Sequence, residues 1–291
     1  MILCKTSYER IWSVARVLSM VPPEAVEVLV ERDPQYDAVK VMVKCTGALS
    51  VALAVANAIV SYRLSVRGEE YWQEYARFIQ RAAAAQITSD ANPADIVSEF
   101  LLESRGNRVQ REQKAKRLEK ARSLLKRLAA NPSEYTDLKR LRDELALSLG
   151  SDKASKTVVF AVKMAFYAFR ALGMDVRNLG EIDVPIDRRM SILTRSSGML
   201  RVSPELIMSR CRDAAVQAWR RVSAASGIPP LKLDTLLWLP MAGVRAISTR
   251  AELEEARKLF AERLVNLSEG LVTRKAAEAV AREILWEEVG S

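Results

Sequence analysis

Along this 291-residue chain, apolar residues recur at intervals of three and four and do not alternate. That spacing lines one face of an α-helix with side chains fit for burial. Read on that period, the sequence predicts helices over residues 7–20, 23–31, 36–62, 69–84, 93–104, 108–130, 136–149, 156–172, 187–199, 203–226, 231–246, 250–268 and 272–288. No segment reads as a strand, so the expected fold class is all-α. The punctuation agrees. Ser203-Pro204-Glu205 supplies a cap, a first-turn proline and an acid at one helix start, while Gly227 and Pro229-Pro230 end that helix. Asn131-Pro132-Ser133 separates two further helices, and Gly173 stops another.

Composition narrows the chemistry. With 49% hydrophobic residues the chain can bury a large core, and with no histidine at all it cannot use Ser-His or Cys-His nucleophiles or a histidine-ligated zinc. Catalysis here falls to lysine, carboxylates, aromatics and amides. The three cysteines, Cys4, Cys45 and Cys211, are odd in number and far apart. They argue against a disulfide framework and against a four-cysteine cluster, and they fit a reducing cytoplasm. The opening residues do not read as a signal peptide. The uncharged stretch from Cys45 to Tyr62 is too short and too polar for a membrane span and is expected to be a buried helix.

The formal net charge is +9, and most of it sits in one place: between Arg105 and Arg127 ten cations face Glu112 and Glu119, a surplus of eight. Such a run suits a nucleic-acid backbone, although a solvated helix face reads the same way when the run is taken alone.

The segment 136–172 predicts two helices joined by Gly150-Ser151-Asp152-Lys153-Ala154-Ser155, with Lys156 opening the second. A helix–hairpin–helix of this kind can hold a phosphate beside a helix N-terminus. An ordinary αα-hairpin has the same spacing. A helix start and partial burial both disfavour a lysine cation, so Lys156 is a candidate nucleophile, with Asp187 in Val-Pro-Ile-Asp as its acidic counterpart. Lys156, Phe160 and Lys163 share one helix face, and Lys163 is the only charge in a long apolar run. It must snorkel, pair or line a pocket. Asp234 and Trp238 are i, i+4 neighbours on another helix, an acid and a ring able to hold a flat base.

At these residues the sequence resembles the archaeal 8-oxoguanine DNA glycosylases, a branch of the helix–hairpin–helix glycosylase superfamily. Six blocks carry the likeness: 32–36 (RDPQY), 57–64 (NAIVSYRL), 68–72 (GEEYW), 156–160 (KTVVF), 184–187 (VPID) and 228–239 (IPPLKLDTLLWL). The resemblance covers roughly 30–82 and 148–240; the basic run is only loosely similar, and the tail after Leu239 departs from the pattern.

The resemblance implies a bifunctional enzyme that removes 8-oxoguanine through a Schiff base on Lys156, assisted by Asp187, and then nicks the strand by β-elimination. Gln35, Asn57, Trp72, Phe160, Lys163, Asp234 and Trp238 are implied as substrate-binding residues, the base lying between Phe160 and Trp238. Gly150 and Lys153 of the hairpin, with Lys114, Lys116 and Lys120 of the basic run, are expected on the DNA backbone. No cofactor or metal is required by this chemistry. The expected partner is double-stranded DNA containing oxidised guanine, met by a cytoplasmic monomer without a membrane. The implied fold has two helical lobes flanking the active site, one of about 1–84 plus 188–291 and one of about 85–187. Two neighbours keep alternatives open: Lys153 precedes Lys156 by three residues, and Asp183 precedes Asp187 by four. A glycosylase of the same fold acting on another damaged base, or a non-catalytic helical DNA-binding protein, are the competing readings.

Overall fold

The structure, a computed structural model, describes residues 4–85, 91–244 and 247–287. Among these the regular structure is helical, with only two isolated bridges, Thr6 with Leu200 and Asp137 with Arg177. Contacts divide the chain into two compact units, one of residues 1–33 and 183–291 and the other of 34–182.

The first unit begins with α1 (Tyr8–Leu18), capped by the Ser7 hydroxyl, and α2 (Pro23–Glu31). The second unit contains α3 (Pro34–Thr46), α4 (Leu49–Ala58), α5 (Gly68–Ala84), α6 (Pro93–Glu103), α7 (Arg111–Ala130), α8 (Leu138–Leu149) and α9 (Lys156–Ala171). The chain then returns to the first unit as α10 (Arg188–Ser196), α11 (Pro204–Met208), α12 (Arg212–Ser226), α13 (Pro230–Trp238), α14 (Arg250–Leu267) and α15 (Arg274–Ile284).

The expected long helix 36–62 is two helices. The apolar period runs on through the break, but Gly47 adopts a left-handed backbone (φ +54°), which ends α3 and turns the chain into α4. Every residue from Ser50 to Ala58 is buried, so α4 is the central helix of its unit, enclosed by α3, α6, α7 and α9. The expected helix 203–226 divides at Ser209-Arg210-Cys211, and that expected over 231–246 ends at Trp238; residues 245 and 246, like 288 at the far end of the last helix, lie outside the described residues.

The lobe boundaries also differ from expectation. Residues 34–84 belong with 91–182, because α3 and α4 both pack on α9 and α3 packs on α5. The change of unit falls at 182/183, ahead of the expected 187/188.

In the first unit, α1 packs against α12 and α15, α14 against α15, and α2 against α13. Buried Arg10 ties this core together. It donates to the carbonyls of Ser197 (2.8 Å) and Glu283 (2.9 Å), pairs with the Glu283 carboxylate and stacks on Trp286 at 4.1 Å.

The cysteine expectation is corrected here. Cys4 and Cys211 form a disulfide across a sequence separation of 207, leaving Cys45 free and exposed. Distance along the chain says nothing about distance in space. The pairing of Thr6 with Leu200 and the hydrogen bond from Ser7 N–H to the Met199 carbonyl (2.9 Å) bring the N-terminal segment beside the helices that follow it.

Candidate active site

In the second unit, α8 and α9 pack together and are joined by the predicted hairpin. Gly150 ends α8 in a left-handed conformation (φ +58°), and four N–H groups of the turn are bonded locally: Gly150 N–H donates to Leu147, Ser151 N–H to Ala146, Ala154 N–H to the Asp152 carboxylate and Ser155 N–H to the Asp152 carbonyl. The Gly150 N–H is therefore used inside the turn.

Ser155 is the N-cap of α9 and Lys156 its first residue. Lys156 is exposed, against the partial burial expected of it, so its helix-start position is the feature that remains. Lys153 is held differently. Its ammonium pairs with Asp143 of α8 at 2.9 Å.

Phe160, one turn along α9, meets the buried Trp72 of α5 edge to face, with ring centroids 6.1 Å apart and an interplanar angle of 74°. Gln35, at the start of α3, is also buried. Its amide lies against the first residue of α5, so that a Cβ on Gly68 would stand 3.8 Å from its Nε2. Lys163 does not snorkel: it is only 2% exposed, its ammonium 5.5 Å from the ring centre of Tyr167.

One expectation fails in this unit: Lys114 is fully buried in α7, which removes it from any DNA-facing set. Asn57 is buried as well, its Oδ1 bonded inside the unit. Lys114 Nζ donates to Asn107 Oδ1 (2.8 Å), Asn107 Nδ2 to the Tyr71 hydroxyl (3.0 Å), and that hydroxyl to Asn57 Oδ1 (2.5 Å). Burial brings the Lys114 ammonium down to about 8, helped by the Arg111 cation, and raises the Tyr71 phenol. Charge counting along the chain places every lysine outside; only the fold reveals a polar chain that accepts one. Lys116 and Lys120 are exposed as expected. Part of the basic surplus is answered locally, Arg122 by Asp95 and Glu119 and Arg127 by Glu144.

In the first unit, Asp187 is the N-cap of α10. Its Oδ1 accepts from Met190 N–H (2.9 Å) and its Oδ2 from the indole N–H of Trp238 (3.3 Å). Both carboxylate oxygens are thereby oriented, and the residue stays partly exposed. Asp234, one turn before Trp238 on α13, is buried. Asp183, the competing acid, is buried and held by Arg220 of α12 through Nε and, at 2.9 Å, Nη2. Sequence reading missed one further side chain. The Arg189 guanidinium lies 3.8 Å from the centre of the Trp238 ring. The available signal was the pair of arginines opening a helix directly after Asp187, where the helix dipole disfavours cations.

Among the described residues no group of three or more cysteine, aspartate or glutamate side chains is arranged to hold a metal, and no helix is long and apolar enough to cross a membrane.

A wholly helical fold whose hairpin delivers a lysine to a helix start is the arrangement of the helix–hairpin–helix DNA glycosylases. The chain belongs to one family of them, the AGOG N-glycosylase/DNA lyases, whose family model matches residues 15–276. An N-glycosylase/DNA lyase of Methanopyrus kandleri is 37% identical over 214 residues, 71% of this chain and 79% of the relative. One of Thermococcus kodakarensis is 37% identical over 204 residues, 69% and 71% of the two chains. A crystal structure of the 8-oxoguanine DNA glycosylase Pa-AGOG from Pyrobaculum aerophilum, complexed with 8-oxoguanosine, superimposes with a TM-score of 0.71 at 29% identity, covering 87% of this chain and 96% of that one. The protein is thus an enzyme with N-glycosylase and DNA lyase activities.

Proposed function

We propose that this enzyme excises 8-oxoguanine from double-stranded DNA as a monomer in the cytoplasm, using Lys156 as nucleophile and Asp187 as the catalytic carboxylate. The observation that carries the reading is the likeness in sequence and fold to the Pyrobaculum enzyme crystallised with 8-oxoguanosine.

The damaged nucleotide leaves the stack at a cost of a few kcal/mol, least for a damaged base. The free amine of Lys156 attacks C1′ as the glycosidic bond breaks; the base departs with the bonding pair and takes up a proton. The positive charge that develops on the sugar is stabilised by Asp187. Ring opening leaves an imine between Lys156 and C1′. Loss of a C2′ proton then expels the 3′ phosphate, and water hydrolyses the imine to free the lysine.

Recognition falls to groups of contrasting character. Phe160 and Trp238 stack on any flat base, whereas Gln35 distinguishes this one. 8-Oxoguanine carries a proton on N7 where guanine has a lone pair, so the Gln35 amide oxygen pairs with the lesion and opposes the undamaged base. Trp72, Lys163 and Asp234 are the further residues assigned to base binding.

The test compares excision of 8-oxoguanine with that of guanine. Losing one hydrogen bond to a buried partner costs about 1–3 kcal/mol, so Gln35→Ala should lower discrimination roughly 10- to 100-fold. Trp238→Ala should weaken every flipped base alike. An unchanged ratio in Gln35→Ala would transfer recognition to Lys163 and Asp234, and a wild-type enzyme that preferred another damaged base would overturn the substrate assignment.

A further inference from the structure

The first turn of α10 holds Arg188 and Arg189 and no acid. The positive end of a helix favours carboxylates there and disfavours guanidinium groups, so helix stability does not account for this pair. Arg188 extends to the surface. Arg189 is partly buried and lies over the indole of Trp238, 3.8 Å from the ring centre.

That contact closes a small circuit. The indole N–H of Trp238 donates to Asp187 Oδ2 at 3.3 Å, Asp187 Oδ1 caps the helix through Met190 N–H at 2.9 Å, and Arg189 stands two residues after Asp187 in the same turn. A hydrogen bond of 3.3 Å lies beyond the usual range and constrains ring orientation weakly by itself. A planar guanidinium covering the ring face limits its tilt and attracts its π-electrons as well. The indole has two faces, and Arg189 occupies one.

We propose that Arg189 is a positioning residue for base excision: it clamps one face of Trp238, holds the indole N–H on the Asp187 carboxylate, and leaves the opposite face for the extruded base. This rests on the roles given above to Trp238 and Asp187. Arg189 touches neither base nor sugar in this scheme. It acts through the ring and, through the ring, on the carboxylate.

The test uses the full-length enzyme, with Arg189→Met to remove charge and plane, Arg189→Lys to keep the charge alone, and Arg188→Met to remove a neighbouring charge without touching the ring. Two quantities decide, with DNA affinity measured as a control. One is the single-turnover rate of base loss from 8-oxoguanine DNA at saturating enzyme. The other is the Trp238 indole N–H resonance, identified by its absence in Trp238→Phe.

A cation–π contact of this kind corresponds to a factor of roughly three to thirty, so Arg189→Met should lose about that much in rate, with Arg189→Lys in between. In Arg189→Met the indole resonance should shift, and its exchange with solvent should accelerate. Arg188→Met should lose DNA affinity to a similar degree as Arg189→Met while keeping both rate and resonance. If Arg189→Met fails to fold, Arg189→Lys decides by the same two readouts.

An unmoved resonance, or a rate loss no larger than that of Arg188→Met, overturns the inference. Asp187→Asn separates it from the parent reading. Loss of excision in Asp187→Asn with full excision in Arg189→Met removes only the role of Arg189. Full excision in Asp187→Asn removes the parent reading and, with it, the effect of Arg189 on rate.

Discussion

Lys153 is bound to Asp143 by an ion pair of 2.9 Å, whereas Lys156, three residues later, opens α9 at the surface. Lys153 lies within the hairpin and Lys156 directly follows it, yet only Lys156 stands at the positive end of a helix dipole. In a borohydride trapping assay on DNA containing 8-oxoguanine, Lys156→Gln should therefore abolish the covalent adduct and Lys153→Gln should retain it. Lys153 is exposed and Asp143 keeps a second partner in Arg142, so loss of the pair should cost at most about 1 kcal/mol of stability. An adduct that survived in Lys156→Gln and vanished in Lys153→Gln would move the nucleophile to the hairpin.

The two aspartates should separate just as clearly. Asp187→Asn retains an N-cap side chain of the same shape, so the protein should melt within a few degrees of wild type. Excision should fall by roughly 100-fold or more, because the charge that favours the sugar cation is gone. Asp183→Asn should show the reverse. It weakens a buried bidentate pair with Arg220, costing about 1–3 kcal/mol in denaturant unfolding while excision by the folded fraction persists. Normal stability with no excision in Asp183→Asn would reverse the two roles.

Lys114 gives the fold a pH dependence of defined sign. Its ammonium is lowered from 10.5 to about 8 in the folded protein. The unfolded chain therefore binds the proton more tightly between those values, and folding stability rises with pH across that window. Below about 8 both states are protonated and the full cost of burying the cation is present; above 10.5 it is gone. Measured against Lys114→Met, which cancels the titration of other groups, wild type should gain about 3 kcal/mol between pH 7 and 10.5. A constant difference across that range would show that the buried ammonium carries no such cost.

The exposed lysines of the basic run should contribute affinity without specificity. Lys116, Lys120 and Lys126 face solvent, unlike Lys114. Their joint replacement by alanine should weaken binding to damaged and undamaged duplex by the same factor, and the slope of log K against log salt should become less negative by about 0.9 for each phosphate that is no longer neutralised. An unchanged slope would place the DNA surface elsewhere.

What the sequence determined alone is local. A helical period of 3.6 residues places Lys156, Phe160 and Lys163 on one face, the short connection 150–155 locates the start of α9, and a charge-free apolar run marks the buried α4, because each depends on neighbours within a few residues. Six short blocks in order were enough to identify the family. Tertiary structure decided the rest. The break at Gly47 lies inside an unbroken apolar pattern. Lys114 is buried because Asn107 and Tyr71 accept it into a polar chain. Cys4 finds Cys211, Arg220 takes up Asp183, and Arg189 covers Trp238, each pairing set by how helices distant in sequence pack. Periodicity records which face of a helix is buried; it carries no record of the partner that buries it.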